Sequence, residues 1–84
     1  MQPHVIIGHH PELGIVAADC SKSAAVVGLL ERLGFIAVPR KAVYVLREVD
    51  RNPTARTRSA VARLRDEGLK VQTDWLYDPL RHYA

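Results

Sequence analysis

Cysteines, aromatic side chains and long hydrophobic runs are all scarce in this 84-residue chain. Cys20 is its only cysteine, Phe35 its only phenylalanine and Trp75 its only tryptophan. A lone cysteine excludes an internal disulfide framework and fits a reducing compartment, so a cytoplasmic location is expected. No stretch approaches the roughly 20 apolar residues that cross a bilayer, and no membrane association is expected. The start of the chain, with Pro3 and His4 ahead of a three-residue apolar run, lacks the basic region and long apolar segment of a secretory signal. There is no low-complexity tract and no linker, so residues 1–84 read as a single domain. No spacing of histidine, cysteine and carboxylate matches a metal motif, and neither a metal nor another cofactor is expected.

Domains this small bury little surface per residue, and they usually need a metal, a disulfide or a partner chain. With the first two unsupported, a homodimer is the expectation.

What is present is a pattern that repeats. Aligning Gly34 with Gly68 superposes Val26, Val27, Leu30 and Phe35 on Ala60, Val61, Leu64 and Leu69. Each set combines helical spacing with a glycine stop and lies between β-branched runs, which predicts two β-α-β halves. The spacing predicts an N-terminal hairpin from residues 5–8 and 13–18, with the turn between them. Helices are expected over 21–33 and 54–67, the first with Asp19, Ser21 and Ser23 as N-cap candidates and the second opened by Asn52 and Pro53. Strands are expected over 35–38, 42–49 and 71–77, with a turn at 39–41. Setting the first run aside, the order strand, helix, strand, strand, helix, strand resembles the ferredoxin-like arrangement. That resemblance implies an α+β fold with a four-stranded antiparallel sheet, both helices on one face, and the N-terminal run as an extra edge strand.

Charge is unevenly placed. Between Arg40 and Arg65 eight basic residues face only Glu48 and Asp50, a local net of +6 in a chain of net +3, which leaves the flanks acidic. On a helical wheel Arg56 and Arg63 border one side of the second helix's apolar face and Arg58 and Arg65 the other, with Ala55, Ser59 and Ala62 between them on the solvent side. Two guanidinium rails along a low ridge suit a phosphate backbone, and Arg51 adds charge near the helix start. Arg51, Arg56, Arg58, Arg63 and Arg65 are therefore the candidate nucleic-acid contacts, DNA first. The competing reading has their stems shielding the sheet while the heads stay solvated. No DNA- or RNA-binding signature accompanies them, and Tyr44 alone is a weak stacking platform for RNA.

The other chemistry-bearing residues are dispersed. His9, His10 and Glu12 share the hairpin turn, with His4 before it and His82 near the end, and turn histidines more commonly serve as polar turn residues than as ligands. Cys20 sits between a strand and a helix start, where a thiol can be activated, but no base accompanies it. Asp74 and Asp78, four apart on the expected last strand, need not converge. An enzyme is not indicated.

Strand alternation predicts that Ile15, Ala17, Phe35, Ala37, Val43 and Val45 face the helices. Val16, Ala18, Ile36, Val38, Tyr44 and Leu46 then form an apolar outer face. Val16, Ile36, Val38, Tyr44 and Leu46 are the expected dimer interface. The sequence thus predicts a small cytoplasmic binding module that contacts nucleic acid through an arginine-rich helix. Its alternative is a homodimeric small-molecule-sensing or protein-interaction domain of the same fold.

Overall fold

The computed structural model describes residues 2–82, which form a five-stranded mixed sheet and two helices. The elements are β1 (Val5–His10), β2 (Gly14–Asp19), α1 (Ala24–Arg32), β3 (Phe35–Ala37), β4 (Val43–Leu46), α2 (Pro53–Asp66) and β5 (Val71–Thr73). Short 3-10 turns over Trp75–Tyr77 and Pro79–His82 follow.

Two helices and the paired β-α-β halves arise where the repeat places them. Gly34 and Gly68 close the two helices with φ of 101° and 85°, a region that glycine enters without the cost a Cβ imposes. After α2 the Leu69 amide returns to the Leu64 carbonyl at 3.2 Å, and this bond turns the chain into β5. Leu30 and Leu64, equivalent in the repeat, are both wholly buried. Apolar residues of both helices share one cluster with Val5, Ile7, Ile15, Ala17, Phe35, Leu46 and Val71, so the two helices cover the same face of the sheet.

The strand order is β3-β4-β2-β1-β5, which differs from the ferredoxin-like order expected from the sequence. The N-terminal strand is interior. It pairs antiparallel with β2 along six residues and parallel with β5, so the sheet is mixed rather than purely antiparallel. The reason is that a strand has only two edges. β4 occupies one edge of β2, and the short hairpin places β1 on the other, which displaces β5 outward.

The register of β4 corrects a second expectation. Phe35 lies opposite Leu46, and Ala37 opposite Tyr44. The connecting loop is therefore one residue longer than the expected turn, closed by the Val38 amide on the Val43 carbonyl with Arg40 at φ 66°. A one-residue slip exchanges the faces of a strand. Leu46 accordingly enters the core and Tyr44 packs against it, so neither belongs to an outer interface. Val43 and Val45 take the outer positions beside Ala18, Val16 and Ile36. Val38 lies just past the end of β3.

β4 also ends earlier than expected, at Leu46. Residues 47–52 form a loop with Glu48 and Asn52 in the left-handed region, at φ 52° and 43°. The last strand likewise stops at Thr73 and gives way to the Trp75–Tyr77 turn. Tyr77 is inserted into the core, while Trp75 is 65% exposed.

Candidate nucleic-acid interface

α2 carries the arginines because its apolar residues, Ala60, Val61 and Leu64, fill the core and leave its flanks to polar side chains. Its one buried polar side chain, Thr57, is satisfied locally by donating to the Pro53 carbonyl at 2.7 Å. The helix starts from Asn52 without a side-chain cap bond, with Pro53 in the first turn.

The guanidinium groups divide into two populations. Three of the five nominated arginines fasten the fold. Arg56 donates to the carbonyls of Glu48 at 2.7 Å and Arg51 at 3.3 Å, which holds the left-handed loop against the helix start. Its Nη2 also lies 3.1 Å from where a Cβ on Gly34 would be, so a side chain there would push the guanidinium aside by a few tenths of an ångström as well as strain the φ of 101°. Arg58 donates to the Leu76 carbonyl at 2.8 Å. Arg65 grips Asp78 with two nitrogens, at 2.7 and 3.5 Å, and reaches the Val71 carbonyl at 3.0 Å. Side-chain exposures of 27% and 16% make this a partly dry ion pair, stronger than a surface contact.

The remaining arginines face solvent. Arg51 makes a 3.6 Å pair with Glu48, both well exposed, a contact worth little. Arg63 is exposed and donates to no acceptor among the described residues. It borders a groove of about 540 Å³ between the end of α1 and α2, lined by Arg32 and Leu33 from α1's end and by Asn52, Ala55, Arg56, Ser59 and Ala60. Arg32, exposed at the end of α1, has only a long 3.4 Å contact to its own helix at Gly28. Three cations surround small residues there, and no carboxylate lines this stretch. Farther along the same cleft Glu67 joins Arg32 and Arg63 beside Ala25, Val26, Leu29 and Leu69. Arg32 escaped the sequence reading because it lies outside the basic run; its position in the last turn before Gly34 was the signal that could have found it.

The other candidate residues do not assemble. His4 is built into the fold: its Nδ1 accepts the Lys70 amide at 2.8 Å, and its own amide donates to the Lys70 carbonyl. His10 Nδ1 accepts the amides of Glu12 and Leu13 at 3.0 and 3.1 Å and shapes the hairpin turn. His4 and His10 thus lie at opposite ends of β1, and the His82 side chain lies outside the described residues. Among the described residues no three of histidine, cysteine, aspartate and glutamate gather as metal ligands. Cys20 is exposed, and its amide donates to the His4 carbonyl at 2.8 Å. Asp19 accepts from the Ser21 amide and hydroxyl, and Ser21 in turn takes the Ser23 amide. These residues build the turn before α1 rather than cap it. Asp78 is held by Arg65, whereas an Asp74 carboxylate oxygen lies 3.8 Å from a Cβ position on Gly8, over the sheet. Tyr77 ionises above its ordinary value near 10, chiefly through burial and secondarily through Asp74.

The chain matches no protein-family model, no curated protein and no solved structure. No helix of the described residues is long and apolar enough to cross a membrane.

Proposed function

We propose that this protein is a non-enzymatic nucleic-acid-binding module, and that phosphates sit in the α1–α2 groove between Arg32, Arg56 and Arg63. The observation that carries this reading is the union of three guanidinium groups with a floor of small residues, Ala55, Ser59 and Ala60, in a stretch without a carboxylate. Small residues let a backbone approach, and arginine suits phosphate through its planar fork of donors. The contacts are to phosphate, so affinity arises from charge neutralisation and sequence preference is weak. Arg56, Arg58 and Arg65, tied to protein acceptors, are secondary to Arg32 and Arg63 in this scheme, Arg56 adding its charge to the groove from that fixed position.

Fluorescence anisotropy of labelled oligonucleotides tests it. Changing Arg32 and Arg63 together to alanine is expected to weaken binding by about tenfold per contact at 0.1 M salt. Thermal stability should stay near the parent's, because both side chains are exposed. Unchanged affinity in the double variant would remove the groove from the interface.

A second reading, self-association, is favoured by the uncovered sheet face. There Ile6 and Ile36 are 37% and 44% exposed, in two adjacent rows, Ile6 with Ala18 and Val43, and Ile36 with Val45 and Val16. A second copy is the occupant this reading requires, and Leu46 and Tyr44 are not part of it. Sedimentation should show a concentration-dependent dimer that Ile36→Lys dissolves; a monomer at high micromolar concentration would dismiss it.

A further inference from the structure

We propose that the nucleic acid held here is single-stranded, and that Trp75 is a platform on which one of its bases stacks. This rests on the reading of the α1–α2 groove as a phosphate site. Tryptophan is on average a highly buried residue, yet the only one in this chain is 65% exposed. Its backbone is nonetheless held firmly. Tyr77, two residues on, is locked in the core at 4% exposure and its amide donates to the Asp74 carbonyl at 3.0 Å. Arg58 grips the same turn through the Leu76 carbonyl, and Arg65 the next one through Asp78. The turn that bears the exposed indole is thus fixed against α2 through Arg58.

The placement continues the groove. Arg56 and Arg63 lie on the α1 side of the α2 ridge, and Arg58, with the Trp75 turn against it, on the opposite side. Between them Ala55, Ser59 and Ala62 keep the ridge low. A helix is about 10 Å across, so a few nucleotides laid over the ridge reach from the groove to the turn that carries Trp75. Single-strand-binding domains hold roughly 4 nucleotides or more. A duplex keeps its bases stacked on each other and offers no face to an indole, whereas a single strand offers one at every nucleotide. Of the carboxylates near this path, Asp78 is paired with Arg65, Asp74 lies toward Gly8 on the sheet, and Asp66 stands on the ridge at its far end, so the strand crosses α2 on the N-terminal side of Asp66.

Because Trp75 is the sole tryptophan, the intrinsic fluorescence of the full chain reports on this position alone. Titration with an oligo(dT), an oligo(rU) and a duplex of matched length should quench emission with the single strands and leave it nearly unchanged with the duplex. Comparing the two single strands separates DNA from RNA. Trp75→Ala should weaken single-strand binding about tenfold with duplex affinity unchanged, and Trp75→Phe should retain most of the affinity. Single-strand binding that depends on Arg32 and Arg63 but neither quenches Trp75 nor responds to Trp75→Ala would overturn the inference and leave the groove reading intact. If Trp75→Ala instead abolishes self-association in sedimentation while single-strand affinity holds, the surface is a protein contact and the inference is likewise overturned. A parent protein that binds no oligonucleotide at low salt overturns both.

Discussion

Phe35→Ala is expected to cost about 3 to 5 kcal/mol, enough to leave much of the population unfolded. Phe35 has no exposed surface; it opens β3, pairs with Leu46 across the ladder, and belongs to the cluster that Leu30 and Leu64 fill from the two helices. At 84 residues the whole domain has a stability of roughly 4 to 12 kcal/mol. A cavity the size of a phenyl ring in a core this small has few neighbours able to collapse into it. Leu30→Ala and Leu64→Ala, at repeat-equivalent and fully buried positions, are expected to cost about 2 to 5 kcal/mol each. Urea unfolding measures all three, and a loss under about 1 kcal/mol for Phe35→Ala would contradict the packing described.

Arg65→Ala is expected to act on stability, in contrast to Arg63→Ala two residues earlier. Arg65 joins three parts of the chain: its own helix, the β5 carbonyl of Val71 and the carboxylate of Asp78. Both partners of the ion pair are less than a third exposed, so removing the guanidinium takes the charged partner from a carboxylate that keeps the Leu80 amide at 3.1 Å, and the donor from the Val71 carbonyl on the edge strand. The cost is about 1.5 to 3 kcal/mol, the range for hydrogen bonds to charged groups. Asp78→Ala should cost at least as much, since it also loses the Leu80 amide bond, and the double variant should cost less than the sum, because the two single changes share the Arg65–Asp78 contact. Arg63→Ala, exposed and without an acceptor among the described residues, should leave the unfolding midpoint unchanged. Equal melting curves for Arg65→Ala and the parent would show that the pair adds nothing.

The contrast between Arg63 and Arg65 marks how far the sequence was legible. Helical spacing at Val26 and Leu30 and at Val61 and Leu64, each run ended by a glycine, was enough to find both helices and their buried faces, because these signals are local. The place of β1 in the sheet was not, since the hairpin and the ferredoxin-like order both compete for one edge of β2 and only pairing in three dimensions decides between them. The face of β4 turned on one residue of loop length, which composition cannot fix and which sent Leu46 inward. Arginine position on the wheel was read correctly, with Arg56 and Arg63 on one flank and Arg58 and Arg65 on the other. What each guanidinium touches was not readable, because the acceptors at Glu48, Leu76, Val71 and Asp78 are brought up by loops whose path the sequence pattern does not encode. Arg32 joins the groove for the same reason: it comes from the other half of the repeat.

The salt dependence of oligonucleotide affinity tests the central claim most directly. Arg32 and Arg63, neutralising one phosphate each, predict a negative slope of log affinity against log salt with a magnitude of at least about 1.8 on duplex and about 1.4 on single strand, and each of Arg32→Ala and Arg63→Ala should reduce that magnitude by roughly 0.7 to 0.9. A slope near zero, or one that survives the loss of both arginines, would contradict the account.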